Sequence, residues 1–130
     1  MNLEVITICD AATESQGKLN ILGAFDTIFA KELPAHHPQC AITVRVRFSP
    51  EEKGEHKIFI DIIDELKAPL VPRYEQTFTV RIPGEEQSGI ANFIINYQNL
   101  ALKQYGEHKI NLDIDGKLKA TLSFFVKGPR

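Results

Sequence analysis

The stretch Gly54-Glu55-His56-Lys57-Ile58-Phe59-Ile60-Asp61-Ile62 returns, with two substitutions, as Gly106-Glu107-His108-Lys109-Ile110-Asn111-Leu112-Asp113-Ile114. Each copy reads as a turn that leads directly into a β-strand. Because successive side chains of a strand point to opposite faces, one face of each copy carries a histidine followed by three aliphatic residues. Both copies are therefore predicted to be half-buried strands. Two origins fit the repeat: shared turn chemistry at two similar strands, and an ancestral duplication.

The rest of the chain repeats this alternation between frequent turn signals. Apolar and polar residues alternate over residues 40–48, 74–82 and 118–126, and no segment has a convincing helical period. The length of 130 residues suits one domain. These features predict an all-β protein: a two-layer antiparallel β-sandwich, Ig-like or C2-like, of about eight strands, in a single domain over residues 1–130.

Two local expectations concern the connections between strands. Residues 10–18 are small and polar and are predicted to be a loop, followed by one strand from Leu19 through Phe29 in which Gly23 marks a bulge or close backbone packing. For the final hairpin, a two-residue Asp115-Gly116 turn would place polar groups against the core. We therefore expect a three-residue loop over residues 114–116, which pairs Leu112 with Leu118.

Composition limits the classes of partner and of compartment. The net charge is −2, from 15 basic and 17 acidic residues, so the chain has no electrostatic footprint for nucleic acid or for an acidic membrane surface. It has no run of about 18 apolar residues. Its first residues show no basic region before an apolar stretch, so we expect no secretory signal. Cys9 and Cys40 do not form a spaced framework, and we expect buried, reduced thiols in a cytoplasmic protein.

The segment Lys18-Leu19-Asn20-Ile21-Leu22-Gly23-Ala24-Phe25-Asp26, with Pro34, His37-Pro38, the two Gly-Glu-His strand entries, Ile63-Asp64-Glu65, Tyr105 and Asp115-Gly116, resembles a bacterial family of unknown function. Its members are single-domain chains of about this length. The resemblance covers nearly the whole chain, and residues 18–26 are its most specific part. It implies an all-β sandwich of Ig-like or C2-like character and implies no activity, cofactor or catalytic residue.

Three groups of residues have side chains that could support chemistry. A zinc site at His36, His37 and Cys40 is disfavoured, because adjacent histidines in an extended segment point their rings apart. Catalysis by His56 or His108 lacks a neighbouring nucleophile in the sequence. Calcium at acidic strand ends is the alternative that stays open, since hard cations need several converging oxygens. The acidic residues concerned are Asp61, Asp64, Glu65, Asp113 and Asp115. Arg45 and Arg47 are expected to pair with acidic residues across strands.

Five apolar residues lie on strand faces opposite those assigned to the core, and together they would form a candidate interaction surface. They are Phe59, Ile63, Phe93, Ile95 and Phe125. The sequence thus predicts a non-enzymatic module with no catalytic, cofactor or metal site, which acts through contacts with an unknown protein partner, self-association into a homodimer included. The alternative function is a small-ligand or calcium-binding C2-like sandwich.

Overall fold

The computed structural model describes residues 1–129 and contains nine β-strands and one short 3-10 helix, Pro50–Glu52. The strands are β1 Asn2–Ser15, β2 Lys18–Phe25, β3 Thr27–Phe29, β4 Ala35–Phe48, β5 Gly54–Ile63, β6 Tyr74–Val80, β7 Gly89–Leu102, β8 Gly106–Ile114 and β9 Leu118–Lys127. No helix within this range is long and apolar enough to cross a membrane. The predicted all-β class is confirmed.

The strands form two sheets that pack face to face. Sheet A has the order β2-β1-β4-β7, and sheet B has the order β3-β9-β8-β5-β6. One pair, β3 with β9, is parallel, and the other pairs within residues 1–129 are antiparallel. The expected single strand from Leu19 to Phe29 is wrong: the chain leaves sheet A at Asp26 and enters sheet B, which raises the count from eight to nine.

The repeated stretches lie side by side as β5 and β8 and supply much of the core. Ile60 pairs with Leu112, its counterpart in the other copy, and Ile58 and Ile62 pair with Ile114 and Ile110. A local two-fold axis therefore passes between Ile60 and Leu112. All these side chains are buried, as the alternation predicts. Each buried Ile or Leu contributes about 1.5–3 kcal/mol relative to an exposed one.

The glycine that opens each repeat has the same backbone conformation. Gly54 has a φ of +117° and Gly106 a φ of +110°, a region that L side chains rarely adopt. A Cβ atom on Gly54 would meet open space, whereas one on Gly106 would approach Oε2 of Glu65 to 2.6 Å. The shared Gly-Glu entry is therefore a common turn conformation, and Gly106 additionally leaves room for the Glu65 carboxylate that accepts the Glu107 N–H.

The β8–β9 hairpin differs in register from the expectation. The loop has three residues, as expected, but it contains residues 115–117, and Leu112 pairs with Ala120 instead of Leu118. Asp115 and Gly116 have φ values of +55° and +71°, as in a type I′ turn. The expected loop would have taken Ile114 out of the strand, whereas Ile114 is fully buried. Each β8 residue therefore pairs with a β9 residue two positions later than expected. Because the shift is even, the same side chains still face the core.

The prediction of a loop over residues 10–18 is wrong, because most of this segment belongs to strands. β1 continues to Ser15 and pairs with β2, and together they form a hairpin that leaves the plane of sheet A. Asn92 of β7 donates a hydrogen bond of 2.6 Å to Glu14 and one of 3.2 Å to the Gly17 carbonyl. Asn92 lies at the level of Val5, about 30 Å before Glu14 along an extended strand. The hairpin must therefore fold back across the outer face of sheet A.

Burial on that outer face supports the folded-back hairpin. Ile8 and Ile42 point to the core, so Cys9, Ala41 and Thr43, on the opposite face, would be exposed in a plain two-layer sandwich. All three are fully buried instead. The Cys9 thiol lies 3.6 Å from the Thr43 hydroxyl. The hairpin thus makes a local third layer.

The expected cross-strand ion pairs are present on the same outer face. Glu4 of β1 accepts hydrogen bonds from Arg45 at 2.8 Å and from Arg47 at 2.7 Å, both on β4. The hydrogen bond from Arg47 is the main reason that the pKa of Glu4 is lowered. This ladder is solvent-accessible, so it fixes side-chain positions more than it stabilises the fold.

Candidate functional site

The five predicted surface residues separate into two groups. Phe93 and Ile95 belong to the core, so their assignment to a non-core face is wrong. β7 carries isoleucines on both faces, which led alternation to the wrong one. The register with β4 makes the choice, because Phe93 pairs with Val44 and Ile95 with Ile42, both of which face sheet B.

Phe59, Ile63 and Phe125 lie on the outer face of sheet B and are half-buried. The guanidinium of Arg73 covers the Phe59 ring at 4.2 Å, and Lys127 approaches the Phe125 ring at 5.9 Å. Ile63 lies four positions after Phe59, about 13 Å along the strand. The structure therefore does not bring these residues together into one apolar surface.

The acidic residues that are candidate calcium ligands each contact a different protein group. Asp61 pairs with Arg73 at 3.3 Å, and Asp113 lies 3.9 Å from Lys119. Asp64 accepts the N–H groups of residues 66 and 68 at 2.8 and 3.0 Å and so closes its own loop. Asp61 and Asp113 border a shallow depression of about 370 Å³ that also contains Arg73 and Lys119. Within residues 1–129 no three His, Cys, Asp or Glu side chains converge as metal ligands would.

His56 is held by two acceptors. Its Nδ1 lies 2.5 Å from Oδ2 of Asp115, and its Nε2 lies 2.6 Å from the carbonyl of Glu52. A carboxylate and a carbonyl oxygen only accept, so both hydrogen bonds form together only when the imidazole is protonated. Burial lowers the pKa of His56, but the Glu52 carbonyl and the Asp115 carboxylate outweigh it and raise the pKa above 6.5. This arrangement ties β5 to the β8–β9 turn.

The remaining histidines and cysteines are structural or isolated. His108 is fully buried against Phe124, and its Nδ1 contacts the Gly106 carbonyl at 3.1 Å. His37 packs on Phe25, with ring centroids 5.6 Å apart. Both cysteines are buried and unbonded, as expected. Burial, and then the neighbouring Cys9 thiol, raise the pKa of Cys40 to about 11, so it stays a thiol at neutral pH.

Three of the five exposed large apolar side chains in the described range lie on two strands that the sequence did not single out as a surface, and the other two, Leu66 and Tyr105, lie in loops. Leu22 and Ile21 of β2 are 70% and 38% exposed, and Phe29 of β3 is 78% exposed. β2 and β3 are edge strands of their sheets, and Asp26 alone separates them in the chain. Ile21 and Leu22 also line a shallow apolar groove with residues 11–13 of β1. This edge is the best candidate for a contact surface.

We call residues 18–26 the β2 segment. It contains no charged residue between Lys18 and Asp26, and its free edge lacks a neighbouring strand within the described range. Edge strands usually carry central charges or prolines that prevent pairing with another chain. The sequence carries this signal as seven uncharged residues, 19–25, although the pattern predicted only a strand with a bulge or close backbone packing at Gly23.

Comparison with known proteins identifies the family of this chain. No curated protein matches the sequence. A family described as a family of unknown function, DUF6941, matches residues 4–127 and so includes all nine strands almost to their ends. The chain belongs to this family of unknown function, DUF6941.

Proposed function

We propose that the protein is a non-enzymatic β-sandwich module that works by binding a protein partner through its β2–β3 edge. The observation that carries the proposal is the exposure of Leu22 and Phe29, at 70% and 78%, on two adjacent edge strands. Exposed apolar side chains on an edge that lacks central charges favour pairing with another polypeptide.

The state of the titratable groups supports a binding role over catalysis. His56 and Asp115 are bonded to each other, and Glu65 accepts a backbone N–H. Asp61 and Asp113 each lie beside a cationic side chain, which gives the calcium-binding alternative no support. These groups fix strands and turns.

The strand order supports an Ig-like assignment within this proposal. β1-β4-β7 and β9-β8-β5-β6 follow the order of the A-B-E and G-F-C-C′ strands of immunoglobulin-type sandwiches. The β2–β3 insertion then lies between the first two strands of that scheme. Two free thiols, Cys9 and Cys40, suit a reducing cytoplasm, where we place the protein, in a bacterial host.

Affinity capture from the native host tests this function. Wild type should retain a partner identified by mass spectrometry, and Leu22→Ser combined with Phe29→Ser should lose it, because both changes remove exposed apolar area without touching the core. Leu66→Ser is the matched control, since Leu66 is 69% exposed in the loop between β5 and β6, away from this edge. Equal capture by all variants would contradict a role for the β2–β3 edge.

A further inference from the structure

We infer that the partner of the β2 segment is a second copy of this chain, paired antiparallel through β2 across a two-fold axis at Leu22. This inference rests on the proposed function and names its partner. It joins the exposed edge of β2 in each copy, so that the two hairpins become one continuous four-stranded ribbon.

The charges at the ends of the β2 segment are self-complementary. With Leu22 opposite Leu22, an antiparallel register places Lys18 opposite the second copy's Asp26, and the symmetry repeats this pair at the other end. Both residues are exposed, and within residues 1–129 neither forms an ion pair. The seven residues between them are uncharged, so no like charges meet near the axis.

The side chains between the charged ends also suit this register. Leu22, the most exposed large apolar residue of sheet A, meets its own copy at the axis, where both become buried. Ile21 lies opposite the second copy's Gly23, which has no side chain and therefore leaves room for it. Leu19 lies opposite the second copy's Phe25. The bend at Gly23, where φ is +66°, occurs symmetrically beside the axis.

The other free edge of sheet A is a weaker candidate. β7 also lacks charged residues over its 14 positions. Its large apolar side chains, however, are buried or half-buried, and none is among the exposed large hydrophobic residues in the described range. Pairing through β7 would therefore remove less apolar surface from water than pairing through β2.

Cysteine cross-linking tests the axis directly. In an antiparallel pair, opposite Cα atoms are about 4.5–5.5 Å apart, which a disulfide can span. Leu22→Cys should therefore form a covalent dimer on mild oxidation, while Leu66→Cys, equally exposed, should stay monomeric. The native thiols are buried and do not interfere. Equal cross-linking of both variants would show random collision and overturn the inference.

Charge-exchange variants test the register without an introduced cysteine. Light scattering across a concentration series measures the dimer dissociation constant of each variant. Lys18→Asp and Asp26→Lys should each raise the dimer dissociation constant about tenfold, since like charges then face each other. The double variant should restore wild-type association. A wild-type monomer at every concentration would overturn the inference, and loss of a captured partner by Leu22→Ser with Phe29→Ser would then still uphold the proposed function.

Discussion

His56 shows how one side chain can hold three segments of this fold together. It connects β5, the 3-10 helix and the β8–β9 turn through two hydrogen bonds that require a protonated ring. The same Asp115 carboxylate also accepts the Lys57 N–H at 2.9 Å. Burial raises the pKa of Asp115, but the His56 and Lys57 hydrogen bonds outweigh it and lower the pKa below 3.8.

His56→Gln should lower the free energy of unfolding in a pH-dependent manner. A raised folded-state pKa means that the contribution of His56 is complete below pH 6.5 and is lost as pH rises through the folded pKa. The contribution of Asp115 is present above pH 3.8 and is lost at lower pH. We therefore expect a loss of about 1–2 kcal/mol near pH 5.5 that shrinks toward pH 9.

Urea unfolding at several pH values measures this difference. His36→Gln is the control, because His36 is exposed on β4 and should change stability little at any pH. A His56→Gln deficit that grows with rising pH would contradict the protonated, doubly hydrogen-bonded ring.

At the scale of elements, the β1–β2 hairpin depends on its bend at Asp10 and Gly23. Pairing between the strands is regular on both sides of this position and interrupted at it. Gly23 has a φ of +66°, and a Cβ atom there would lie 2.4 Å from Oδ2 of Asp10. The bend directs the hairpin back over Cys9 and Thr43.

Gly23→Val should therefore loosen the hairpin and expose Cys9 while leaving Cys40 protected between the sheets. Backbone strain of about 1–3 kcal/mol corresponds to an increase in Cys9 labelling by a thiol reagent of about tenfold or more. Gly54→Val is the control, because it places a side chain at φ +117° in open space, away from the hairpin. Unchanged Cys9 labelling in Gly23→Val would argue against the folded-back hairpin.

Alternation predicted the elements with one polar face and failed where both faces are apolar. The rows beginning at His56 and His108 were predicted correctly, because each copy has an aliphatic face and a more polar one. Phe93 and Ile95 were misassigned because β7 has isoleucines on both faces, so only its pairing with β4 reveals the buried side. The loop prediction for residues 10–18 failed because small polar residues suit both a loop and an outlying hairpin.

For the whole molecule, the two-layer architecture was predictable, whereas the sequence showed only one sign of the candidate site, the uncharged residues 19–25. The sandwich follows from local periodicity and turns, which the sequence displays directly. The third layer depends on long-range contacts such as Asn92 with Glu14, which periodicity cannot show. Phe29 lies at the edge of sheet B because the chain crosses between the sheets at Asp26, which the sequence pattern does not show either.

The central claim for the whole molecule is that buried apolar rows stabilise the fold, whereas the exposed β2–β3 edge binds a protein partner. Urea unfolding of Leu22→Ser and Leu112→Ala tests it most directly, at a protein concentration low enough to prevent association. Leu112→Ala should lose about 2–5 kcal/mol, as expected for a core cavity, and Leu22→Ser should change stability by less than about 0.5 kcal/mol. A loss in Leu22→Ser as large as that in Leu112→Ala would make Leu22 part of the core and contradict the account.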